Sequence, residues 1–169
     1  MIKLTFSSES NDSGVVSATK EYQTIWNEDG TRIIAVMENM AGLKFSQTEI
    51  GVIVYEGISY SGYIDLPMKL RASYPKDIKK GTLVHELGHR LIEQLTNRPD
   101  DTDEHQLLFL VLYDIWVAIY GQEFADKMVK TEELRTGLYD YKTCWADTLT
   151  IYKEERYEKF NLVKNLNGL

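Results

Sequence analysis

At 169 residues, 43% of them hydrophobic, the chain is long enough to bury a core without disulfide or metal staples, and a single domain over 1–169 is expected. A net charge of −7, with no basic run beyond Lys79-Lys80, argues against a nucleic-acid groove, which needs clustered cations to neutralise phosphates. The lone Cys144 excludes an internal disulfide and a thiolate zinc cluster, and it suits a reducing cytoplasm or a protein indifferent to redox state.

Residues 1–6 alternate apolar and polar side chains in the two-residue period of a half-buried strand. They lack the long apolar core of a secretory signal, so export is not expected. The polar run 7–14 reads as a loop. Residues 15–27 read as a helix, stopped by the turn-forming Asn27-Glu28-Asp29-Gly30. A second helix follows over 31–41 with Gly42 as its cap, and Ile33, Ile34, Val36, Met37 and Met40 give it an apolar face.

The β-branched run 50–55 has the composition of a central strand, and Gly57 and Gly62 mark turns. Met68, Leu70 and Ala72 alternate with Lys69, Arg71 and Ser73, which describes a strand with one wet face. Pro67 places it at an edge. Such an edge could add an extended peptide, although a plain edge kept soluble by Lys69 and Arg71 is the simpler reading.

The next helix should begin near residues 75–77 and run to about Leu95, with Leu83, Val84, Leu87, Leu91, Ile92 and Leu95 as its buried stripe and Asn97-Arg98-Pro99 closing it. An acidic turn over 100–103 follows, in which Thr102 or Asp103 caps a helix from Glu104 to about Tyr120, ended by Gly121. Its apolar run 107–120 contains Asp114 and falls short of the ~20 residues that cross a bilayer. A buried helix, without membrane association, is expected. The last third, 122–169, reads as helix with breaks at Thr136-Gly137 and near Asp140.

The richest chemistry lies in His85-Glu86-Leu87-Gly88-His89. The chain has three histidines, and all fall between positions 85 and 105. On a helix, positions four apart stand on one face, so His85 and His89 converge. Neutral imidazole is a good zinc ligand. Glu86 is displaced from the ligand line and can hydrogen-bond a metal-bound water, the position of a general base. Thr82-Leu83-Val84 and Leu87-Gly88 make an uncharged surround in which a polarised water reacts well. Arg90, next to the second histidine, is expected to point to solvent.

A catalytic zinc takes three protein ligands and keeps one open position. His105 is the preferred third ligand, because a short turn and a returning helix bring it back toward His89 and imidazole is the commonest metal ligand. Glu104, Asp101 and Asp103 offer oxygen from the same neighbourhood and remain alternatives. Asp114 would either orient a ligand histidine or make a plain buried hydrogen bond. Of Tyr139, Tyr141 and Trp145, a tyrosine hydroxyl could meet an oxyanion, but core packing is the favoured reading.

These residues resemble the HExxH zinc peptidases, in particular the gluzincin type with its third ligand on a following helix, and a histidine one helix-turn later also resembles the SprT-like metallopeptidase domain. The likeness covers about 79–120, and the motif core is similar to that of small bacterial and phage regulatory peptidases. It implies His85, His89 and His105 as zinc ligands and Glu86 as base. SprT-like proteins often add a cysteine zinc ribbon and a basic DNA-binding surface; this chain has neither, so no DNA-associated role is carried over. The implied fold is α+β and zincin-like: a small mixed or antiparallel sheet packed on the HExxH helix, with a mainly helical C-terminal part. The expected function is zinc-dependent hydrolysis of a peptide or protein substrate through a metal-activated water. The alternative is a non-catalytic zinc-binding or interaction module, in which a carboxylate such as Glu104 would close the fourth position.

Overall fold

The computed structural model describes residues 2–63, 65–99, 102–136 and 139–169. Among these residues the chain is α+β, with six helices and one three-stranded sheet. It forms two compact units, Met1–Leu91 and Ile92–Leu169.

In the first unit, β1 (Lys3–Ser8), β2 (Glu49–Tyr55) and β3 (Met68–Arg71) lie in the order β1-β2-β3. The β-branched run is indeed the central strand. Leu4, Ile50, Val52, Val54, Met68 and Leu70 are buried, and the register pairs Leu4 with Ile50, Val52 with Met68 and Val54 with Leu70. The period-2 pattern thereby gives the sheet one continuous apolar face. α1 (Ser13–Ala41) packs on β1 and β2, burying Val15, Ala18, Tyr22, Ile25, Ile33, Ile34 and Met37.

Both strand pairs are parallel, which corrects the mixed or antiparallel sheet expected from the resemblance. Parallel neighbours cannot be joined by a tight hairpin, and α1 supplies the long crossover from β1 to β2. The outer edge of β3 is partly occupied by the chain's own loop. Tyr60 pairs with Lys69 through two antiparallel backbone bonds of 2.9 and 3.0 Å, and the Arg71 N–H donates to Ser59 Oγ at 3.0 Å.

α1 is also a correction, because it runs unbroken through Asn27-Glu28-Asp29-Gly30. A helical glycine costs about 1 kcal/mol relative to alanine, but here the missing side chain makes room. A Cβ on Gly30 would stand 2.8 Å from the Trp26 ring. Asp29 is held by Lys80 Nζ at 2.8 Å. The ends follow the sequence: Asp12 accepts from the Gly14 and Val15 N–H groups, and Gly42 closes the helix in the left-handed region at φ 61°.

α2 (Lys76–Ile92) follows Pro75 and carries the HExxH segment. Two buried or half-buried lysines on its first turns reach α1, Lys79 Nζ to Glu21 Oε2 at 2.5 Å and Lys80 to Asp29. Lys79 also lies over the Tyr22 ring.

In the second unit, α3 (Glu104–Tyr120) is apolar on nearly every side and contacts α4 (Gln122–Glu133), α5 (Tyr141–Thr150) and α6 (Lys153–Leu166). Asp103 caps it in a reciprocal capping box with Gln106, and Gly121 ends it at φ 91°. The break expected at Thr136-Gly137 includes Gly137, which lies outside the described residues; Asp140 caps α5, and Ile151 and Tyr152 add a break the periodicity did not show. No described helix is long and apolar enough to cross a membrane.

Asp114 is a partner in a buried ion pair. Arg156 Nη2 donates to its Oδ2 at 2.5 Å, while the more exposed Lys153 stands 3.7 Å from the other oxygen. This is a structural role within the unit, and it settles the two readings of Asp114 toward the plain buried bond. Trp145 is likewise core, stacked on Phe109 at 3.8 Å with its indole N–H donating to Glu132 Oε2 at 2.9 Å.

Replacing Arg156 by Leu leaves the buried Asp114 carboxylate with only the exposed Lys153, 3.7 Å away, and is expected to cost about 3 kcal/mol in urea unfolding. The double variant with Asp114→Leu should recover most of that loss. Burial pushes the Cys144 thiol up to about 11. An unfolded thiol ionises near about pH 8.5, so the thiol's contribution is intact below that pH and is lost as pH rises from there. A pH series of unfolding midpoints for wild type against Cys144→Ala should show the two curves converge or cross over that alkaline window, and parallel curves would refute the linkage.

Candidate metal centre

α2 puts the first two histidines where helical spacing requires. His85 Nε2 and His89 Nε2 are 3.1 Å apart, with ring centroids at 4.9 Å and planes inclined by 49°. His85 is 1% and His89 8% exposed, among the fully buried Leu83, Val84 and Leu87. Two lone pairs cannot face each other at that distance without repulsion. Either one ring nitrogen carries the hydrogen between them, or a cation takes both. Two nitrogens on a tetrahedral zinc, each at ~2.0–2.1 Å, stand ~3.3 Å apart. The observed pair therefore fits a shared ion with almost no movement.

Glu86 is 3% exposed, and among the described residues no hydrogen bond or ion pair engages its carboxylate. A buried carboxylate normally carries a partner, because its desolvation is otherwise uncompensated. Its charge reaches the Tyr55 phenol, whose pKa is raised chiefly by burial and further by the negative groups at Tyr60, Glu9 and Glu86.

Arg90 is buried, at 2% exposure, and this overturns its expected solvent-facing position. Its guanidinium donates to the carbonyls of Tyr63 and Leu66, each at 2.5 Å, so its planar fork closes the turn between β2 and β3. A sequence signal for this existed: position 90 stands three residues after Leu87 and seven after Leu83, on the stripe that periodicity assigns to the core. Gly62 belongs to the same clamp. It adopts φ 70°, and a Cβ there would lie 2.8 Å from the Pro67 carbonyl oxygen and 3.1 Å from Arg90 Nη2.

His105 lies in the second unit, on the first turn of α3, half-buried. Tyr139 stacks on its ring at 4.2 Å, Tyr141 meets it edge-on at 5.1 Å, and the Tyr141 hydroxyl is 3.2 Å from Nε2. The bond from Tyr141 to this nitrogen was not evident from the sequence, since the two residues are 36 positions apart. Burial is the main cause of a raised Tyr139 pKa, and its hydroxyl donates to Asp103 Oδ1 at 3.2 Å. Of the alternative oxygen ligands, Asp103 is committed to capping α3 and to Tyr139, Glu104 opens α3, and Asp101 lies outside the described residues.

Comparison with protein-family models, with curated proteins and with solved structures gives no match. The site is therefore read from its own geometry.

Gly62→Ala is expected to destabilise the chain by about 2 kcal/mol, combining a left-handed backbone with a collision against a backbone oxygen. Thermal and urea unfolding measure it. A neutral effect would show that the Arg90 clamp is looser than its distances indicate.

Proposed function

We propose that the chain is a zinc-dependent peptidase with a zincin-like α+β arrangement, acting on a peptide or protein substrate in the cytoplasm. The observation that carries this reading is the buried pair of imidazoles with Nε2 atoms 3.1 Å apart, flanked by a buried carboxylate with no described partner.

His85 and His89 would hold the ion, with His105, preferred from the sequence, as the third imidazole. A bound zinc ion supplies Lewis acidity toward a peptide carbonyl and toward water. Glu86 takes a proton from the attacking water on its carboxylate oxygen and passes it to the amine nitrogen as the peptide bond breaks. Leu83, Val84 and Leu87 keep bulk water from the imidazoles, which strengthens every charge interaction there. Arg90 fixes the backbone of the adjoining turn through Tyr63 and Leu66 and stays out of the proton path.

Glu86→Gln should retain zinc at one ion per chain while hydrolysis of a protein substrate falls by about 10²–10⁴. His85→Ala and His105→Ala should each lower zinc retained after dialysis, read by elemental analysis. Unchanged turnover in Glu86→Gln would sink the mechanism, and unchanged zinc in His105→Ala would remove His105 from the ligand set.

A further inference from the structure

We infer that the free edge of β1 pairs, antiparallel, with β1 of a second copy of this chain across a two-fold axis at Phe6, joining two three-stranded sheets into one. The bonds to β2 fix which groups the edge offers. The Lys3 N–H donates to the Thr48 carbonyl and the Glu9 N–H to the Val54 carbonyl, each at 2.9 Å. In a parallel ladder alternate residues turn toward the neighbouring strand. Lys3, Thr5, Ser7 and Glu9 therefore face β2, and the N–H and C=O groups of Leu4, Phe6 and Ser8 point away from the sheet. Among the described residues nothing pairs with them.

The chain treats its two sheet edges differently. Tyr60 and Ser59 occupy the outer edge of β3. β1 carries none of the devices that keep an edge unpaired: its register on β2 has no bulge, and from Leu4 to Ser8 it has neither a proline nor a charge. Outward amides on every second residue are matched in spacing by the backbone of another strand.

The side chains select which strand. Antiparallel pairing of β1 with itself about Phe6 sets Leu4 against Ser8 of the second copy and Phe6 against its counterpart, so that every outward group is bonded. On the exposed face the same register sets Thr5 against Ser7 and Lys3 against Glu9, a hydroxyl pair and an ion pair that both favour strand pairing. A slip of two residues either way leaves one outward residue of β1 with no strand residue opposite, and it moves Lys3 away from Glu9. On the α1 side a groove of about 310 Å³ lies between residues 3–6 and Gln23, Trp26 and Asn27, which leaves room for the second copy's half-buried Phe6. Such a contact uses the same surface on both copies and closes at two. A strand of unrelated sequence would meet this edge without the match of Lys3 to Glu9.

Sedimentation of the full chain from micromolar to millimolar concentration, for the wild type, Lys3→Glu, Glu9→Lys and the double variant, decides the matter. The wild type should sediment as a dimer that dissociates on dilution. Each single change sets like charges against each other twice, once on either side of the axis, and should weaken the dimer about tenfold. The double change restores opposite charges and should return the dissociation constant to within about threefold of wild type. Within one copy both changes are unfavourable, because Lys3 pairs with Glu49 at 2.9 Å and Glu9 with Lys69 at 3.2 Å. Rescue by the double variant can therefore come only from contact between copies. Circular dichroism checks that every variant is folded. A chain that stays monomeric across the range overturns the second copy as occupant and leaves the edge to a strand of another protein. Association that the single changes do not weaken, or that the double change does not restore, overturns the proposal, as does assembly beyond a dimer.

Discussion

Burying charged and polar side chains on a single helix is the constraint around which this chain is organised. Lys79, Thr82, His85, Glu86, His89 and Arg90 of α2 are all buried, and each such group is costly unless a partner replaces the water it loses. The partners come from the rest of the first unit. α1 contributes Glu21 to Lys79, the β2–β3 turn contributes two carbonyls to Arg90, and the two imidazoles face one another. Glu86 alone of the charged members lacks such a partner among the described residues. That asymmetry sets Glu86 apart from the other charged side chains of the helix, Lys79 and Arg90, whose partners come from α1 and from the β2–β3 turn.

The two kinds of polar burial support one another. The lysine pairs fix the N-terminal half of α2 and the arginine fork fixes its C-terminal half, so the imidazoles between them sit on a helix restrained at both ends. Such restraint fixes the relative position of the two imidazoles. The second unit treats polarity differently, with one buried ion pair, Asp114 and Arg156, and one indole-to-carboxylate bond, Trp145 to Glu132, inside an otherwise apolar bundle. Its tyrosines surround His105 with rings and one hydroxyl, which leaves that imidazole oriented by stacking as much as by hydrogen bonding.

What could be read from the sequence was whatever depends on local periodicity and end chemistry. The β-branched composition of 50–55, the stripe through Leu83, Leu87 and Leu91, the Asp103 cap and the terminal Gly42 and Gly121 are all short-range signals, and the elements formed close to where they pointed, although α2 ends at Ile92 and not at about Leu95. Pairing direction in the sheet was not legible, because parallel and antiparallel strands share the same period of two and differ only in how distant segments meet. The continuity of α1 through Gly30 depends on the Trp26 ring one turn earlier and on Lys80 far along the chain. Arg90 was misread by residue type: its charge suggested solvent, although its helical position placed it in the core stripe. The imidazole pair and Glu86 were legible because their geometry follows from helix spacing alone, whereas the hydroxyl at His105 comes from a segment joined to it only by the tertiary fold.

The parallel register of β1 on β2 sets the order in which the first unit must assemble. Lys3 meets Glu49 across 46 positions of chain, so sheet closure carries a large loop-entropy cost before any strand contact offsets it. A helix of 29 residues spanning the gap shortens the effective search, since α1 can form locally and offer its apolar face as a template for both strands. Until it does, the uncharged β-branched run at 50–55 stays open to pairing with other chains. The helix that bridges the two strands therefore also supplies the apolar surface that covers them in the finished unit.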